Sequence, residues 1–100
     1  MPHRLIAIAI LASIGVSGVA QAAGSVAAGN SKAVECGGCH GNMGQGMGSY
    51  PALAGKPAAA LAKALQDFKS GTTTSLMHGL AASLSAQDIK NLAAYYASLK

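Results

Sequence analysis

The sequence has no tryptophan, one phenylalanine and three tyrosines in 100 residues, and only 10% of its side chains are charged. So few aromatics leave little bulk for a core. Although 51% of the residues are hydrophobic, alanine and glycine supply much of that share. Scarce charge combined with high hydrophobicity excludes a disordered tail. The formal net charge of +4 is too small and too scattered for a nucleic-acid-binding surface. The length admits one small domain and excludes a large enzyme with separate substrate and cofactor domains. Cysteine occurs only at Cys36 and Cys39.

Residues 1–22 read as a cleaved secretory signal peptide: His3 and Arg4, an uncharged apolar run from Leu5 to Val19, then Ala20-Gln21-Ala22 as a small-x-small cleavage site. An uncleaved membrane anchor is the alternative. Against it, the run is shorter than the roughly 20 apolar residues that span a bilayer, and Ser13, Gly15, Ser17 and Gly18 dilute it. Export implies an oxidising compartment, here a periplasm.

Four of the five isoleucines lie in that leader, so residues 23–100 keep only Val26, Val34 and Ile89 as β-branched aliphatics. A sheet is therefore not expected, and Ala, Leu, Lys and Gln favour helices between the glycines. The expectations are a helix over Val26–Glu35 ending at Gly37-Gly38, a loop across the six glycines of 37–48, and a helix from Pro57 to Ser70 stopped by Gly71. A short turn follows around Met77–Ala82. A final helix is capped by Ser85 with Asp88 three residues on, and carries Ile89, Leu92, Ala93, Tyr96 and Leu99 as its apolar stripe. No internal repeat or interdomain linker divides the chain. A domain this small, with so few bulky side chains, needs a staple or a cofactor to complete its centre.

Cys36-Gly37-Gly38-Cys39-His40 has the C-x-x-C-H pattern of covalent c-type haem attachment. Two thiols three residues apart can each add to one haem vinyl group, and the imidazole that follows can bind the iron as proximal ligand. A thioredoxin-like dithiol would need a βαβ setting that this composition does not support. A disulfide across so short a loop would add little stability. A zinc site would have to assemble Cys36, Cys39, His40 and His78 without the usual second pair of ligands. For the sixth iron ligand, Met43 lies one helical turn from His40 and Met47 sits in the glycine-rich loop, whereas Met77 and His78 are both far enough along the chain to approach the opposite face. Methionine there raises the reduction potential and a second histidine lowers it.

These residues resemble class I cytochrome c of the short bacterial monohaem type, and single domains of the dihaem cytochromes, over roughly residues 24–100. Cys36 to Gly41, Tyr50-Pro51-Ala52-Leu53-Ala54-Gly55, Ala62 to Phe68 with Gly71, Met77-His78-Gly79 with Leu84-Ser85, and Leu92 to Tyr96 carry the resemblance. It implies an all-α class I cytochrome c fold, three to five helices wrapped around one haem c held by two thioethers. Met77 falls on the family's axial methionine, and Pro51 on the proline whose carbonyl accepts from the axial histidine. Gly29 falls where the first and last helices cross, and Tyr95 on the aromatic packed over it.

With His40 and Met77 closing the iron, the resemblance implies a non-enzymatic periplasmic carrier of single electrons in a respiratory chain. Its partners would be a donor dehydrogenase or quinol-oxidising complex and an acceptor oxidase or reductase. Lys56 and Lys63, seven apart and expected to share a helix face, are candidates for steering an acidic partner. The rival readings are a haem c subunit of a larger redox enzyme and a five-coordinate haem protein that binds a small ligand.

Overall fold

The structure, a computed structural model, describes residues 23–72 and 75–100. The leader expected at 1–22 lies outside the described residues. Among the described residues five α-helices follow in order: α1 Val26–Lys32, α2 Val34–His40, α3 Ala58–Ser70, α4 Leu76–Ala82 and α5 Ala86–Ser98. Among the described residues there is no strand, only an isolated antiparallel bridge between Met47 and Tyr50.

Helix α5 organises the rest. Ser85 accepts from the Asp88 backbone N–H, and the Asp88 carboxylate accepts from the Ser85 N–H, a reciprocal capping box. From that start Ile89, Leu92, Ala93, Tyr95 and Tyr96 turn inward, and these five supply more than half of the buried apolar core. Helix α1 crosses α5 at Gly29. A Cβ on Gly29 would stand 2.0 Å from the Asn91 carbonyl oxygen and 2.6 Å from the Tyr95 Cβ, so only glycine permits this approach. The Ser25 backbone N–H donates to Asn91 Oδ1 at 2.8 Å, and Lys32 lies 3.9 Å from Asp88, so the crossing is also pinned at both ends of α1. Helix α3 packs against α5 and α4.

Three local expectations change. Gly37 and Gly38 lie inside a helix, not past its end: Ala33 stays in the helical region and α2 runs on to His40. Each helical glycine costs about 1 kcal/mol relative to alanine. Long-range bonds offset that cost, with Gly46 N–H donating to the His40 carbonyl at 2.7 Å and the His40 ring tied down further along the loop. Pro57 is the residue before α3, with ψ of 136°, where it caps rather than opens the helix. Around Met77 the expected turn is a full helix, because Ser75 caps it by accepting from the Met77 N–H. The stop at Gly71 is as expected, with φ of 78°.

Two outcomes test this packing. Gly29→Ala must push α1 away from the α5 backbone and is expected to cost about 1–3 kcal/mol, read from the urea midpoint. Ser85→Ala removes one half of the capping box and is expected to cost about 1 kcal/mol. The Ser85 backbone N–H, ahead of the other contacts, holds the Asp88 carboxyl below its ordinary value. Its contribution is therefore present above the ordinary carboxylate range and lost as pH falls through the depressed folded value. Urea midpoints of the wild type should fall more steeply on acidification than those of Asp88→Asn.

Candidate haem-attachment site

Helix α2 places Cys36, Cys39 and His40 on adjoining positions of one face, since residues three and four apart are neighbours on a helix. Both thiols are free and half-buried. Cys36 packs against the core, with the Tyr96 phenol beside its thiol. Burial pushes the Cys36 thiol up from its ordinary value, and burial pushes the Tyr96 phenol up as well.

His40, the last residue of α2, is the one buried polar side chain among the described residues, at 6% exposure. Its Nδ1 lies 2.7 Å from the Pro51 carbonyl oxygen. A carbonyl cannot donate, so the ring proton sits on Nδ1 and Nε2 keeps its lone pair. Tyr50 meets the imidazole edge-on, with ring centroids 6.1 Å apart. The loop that supplies Pro51 is itself registered. Met47 and Tyr50 exchange backbone bonds of 3.1 and 2.9 Å, the Gly44 carbonyl accepts from Leu53 and Ala54, and Gly55 N–H donates to the Tyr96 carbonyl at 2.8 Å. Gly44 has φ of 64°, and a Cβ there would stand 2.6 Å from the Tyr96 ring.

The other sequence candidates divide by location. Met43 and Met47 lie in the loop next to His40 and are 55% and 52% exposed. Met77 is half-buried in the first turn of α4. His78 is exposed, and its Nδ1–H donates to the Phe68 carbonyl at 2.7 Å, which holds its ring at the C-terminal turn of α3. The steering pair does not share a helix face. Lys56 precedes α3, and Lys63 within it is bound to Asp67 at 2.7 Å. Tyr50 and Tyr96 lie in segments that carry the resemblance, but the contacts of Tyr96 with Cys36 and of Tyr50 with His40 are not legible in those segments.

Two free thiols and an imidazole whose Nδ1 is engaged by Pro51 form the donor set that two thioethers and one axial bond require. Among the described residues no three His, Cys, Asp or Glu side chains are grouped to hold a metal ion, which leaves a zinc site without its ligands. The dithiol reading lacks its βαβ frame, since the described residues hold no strand.

Comparison with known proteins agrees with this geometry. The family described as "Cytochrome C oxidase, cbb3-type, subunit III" matches residues 23–95. Cytochrome c4 of Pseudomonas aeruginosa is 44% identical over 95 residues, covering 93% of this chain and 47% of that protein. Cytochrome c-554(547) of Halothiobacillus neapolitanus is 42% identical over 91 residues, covering 78% of this chain and 100% of that protein. Among solved structures, reduced recombinant cytochrome c4 from Pseudomonas stutzeri superposes with a TM-score of 0.72 at 39% identity, over 78% of this chain and 47% of that one. The chain thus spans about half the length of its cytochrome c4 relatives. With an all-helical class I fold and the Cys36-x-x-Cys39-His40 motif that indicates covalent haem c, the chain belongs to the cytochrome c family.

Proposed function

We propose that this chain is a carrier of single electrons, working in a periplasm after loss of residues 1–22. In this reading Cys36 and Cys39 hold haem c through thioethers, and His40 and Met77 are its axial ligands. The observation that carries the reading is the buried His40 ring, fixed by Pro51 on the helix that also bears both thiols. When bound, the haem supplies a one-electron couple at the iron. The protein's part is to keep both axial ligands in place in either redox state, so that little rearranges when an electron arrives.

The Pro51 carbonyl orients His40 and makes its Nε2 a stronger donor. A thioether from Met77 would favour the reduced state and raise the potential. His78, next to Met77 in the sequence, has its Nδ1–H engaged by the Phe68 carbonyl. No described helix is long and apolar enough to cross a membrane. Redox proteins are the partners, met through brief contacts in which exposed Lys56 contributes positive charge. Lys63 adds less, because Asp67 offsets it.

The visible spectrum of the ferric holoprotein tests the ligand set. The weak far-red band of a sulfur–iron bond is expected in the wild type and absent in Met77→Ala. In that variant the potential should drop by on the order of 100 mV, well inside the ~0.8 V that axial ligands span. A low-spin wild type without the band would move the sixth bond to His78. A high-spin wild type would indicate an open position and ligand chemistry instead.

A further inference from the structure

The two proposed axial ligands are held very differently. His40 ends a helix whose flanking loop is bonded to α5, whereas Met77 lies on α4, seven residues long and too short to be helical by itself. Helix α4 buries only Ala81, while Leu76 and Leu80 are 72% and 47% exposed. Apolar burial therefore does little to fix it. Among the described residues it packs on α3 and on no other helix.

Two polar ties join this segment to the C-terminal turn of α3. One is the His78 Nδ1–H bond to the Phe68 carbonyl at 2.7 Å, bridging ten residues of sequence. The other, beyond the end of α4, runs from the Lys69 ammonium to the Leu84 carbonyl. The His78 ring also lies against Gly71, where a Cβ would come 3.3 Å from its Cε1. The last carbonyls of a helix form its negative end, so a donor there is favoured. Only the first of these ties is next to Met77.

We propose that His78 is a positioning residue for Met77: by donating to Phe68 it anchors the first turn of α4 to α3 and sets the direction in which Met77 points. Neighbouring residues leave a helix about 100° apart. Holding residue 78 on α3 therefore fixes the rotation of α4 and with it the bearing of residue 77. Without the tie, α4 keeps the Ser75 cap but can turn or lift, and Met77 is released more often. The inference rests on Met77 being the sixth ligand.

The test is an imidazole titration of ferric holoprotein, followed at the far-red sulfur–iron band, in the wild type, His78→Phe, His78→Asn and Ser25→Ala. Phenylalanine keeps a ring over Gly71 but has no donor. Asparagine loses the ring but places an amide N–H close to the position of Nδ1. Ser25→Ala loosens the α1 cap, where Ser25 accepts from the Ala28 N–H, and so lowers stability away from α4. The expected result is that His78→Phe yields to imidazole at about fivefold lower concentration, the effect of losing one hydrogen bond. His78→Asn and Ser25→Ala should stay within about twofold of the wild type by the same measure. If His78→Phe gives no holoprotein, His78→Ala carries the same expectation.

A His78→Phe protein that titrates like the wild type overturns the proposal. So does an Asn variant as weak as the Phe variant, or a Ser25→Ala protein weakened equally. A wild type without the far-red band defeats the Met77 reading itself, and this inference with it. A wild type that shows the band, with silent His78 variants, defeats the inference alone.

Discussion

Helix α1 lies directly on the backbone of α5 at Gly29, and the rest of the structure depends on that contact. With no side chain between them, Asn91 and Tyr95 sit against the α1 backbone, and α5 is locked in rotation. Its inner face then presents Tyr96 at one place only. The Tyr96 ring covers Gly44, and its carbonyl receives the Gly55 N–H, so both ends of the glycine-rich loop are registered to α5. Pro51, between those ends, is brought to His40. The crossing of two helices thus reaches His40 through two backbone registers and one ring.

Apolar burial alone would not achieve this. The core is small, Leu92, Ile89 and Tyr96 are its best-buried large side chains, and several of its members are alanines. Directional bonds carry more of the specification than in a larger domain. The capping box starts α5, the Gly46 bond holds the end of α2 despite two glycines inside it, and the Pro51 bond fixes the His40 tautomer. Helix α4 is built more lightly: it buries only Ala81 and is tied to the last turn of α3 by the His78 bond to the Phe68 carbonyl. Under the proposed ligand set, His40 is therefore held more rigidly than Met77.

Much of this was legible in the sequence where the signal is local. The C-x-x-C-H run, the Ser85–Asp88 box, the Gly71 stop and the stripe of α5 each depend on residues within one or two turns of one another. Gly37 and Gly38 misled because propensity counts the cost of a helical glycine and cannot see the long-range bonds that offset it. The spacing predicts only a turn over Met77–Ala82, because a seven-residue segment has no helical stability of its own and its partner α3 is not visible in the local sequence. The seven-residue spacing of Lys56 and Lys63 suits one helix face, but Lys56 lies ahead of Pro57 and outside α3.

By itself the sequence determined the chemistry. Which thiols and which imidazole are available, that the chain is helical, and where its best-capped helix begins all follow from residue type and short-range spacing. Only the tertiary structure decided further contacts around those groups: that the Tyr96 phenol meets Cys36, and that the His78 ring is tied to α3. Each of these is a contact between residues at least ten positions apart. Such contacts exist only once the helices have packed, because packing, not propensity, sets the distance and angle between a donor and an acceptor that the chain order leaves far apart.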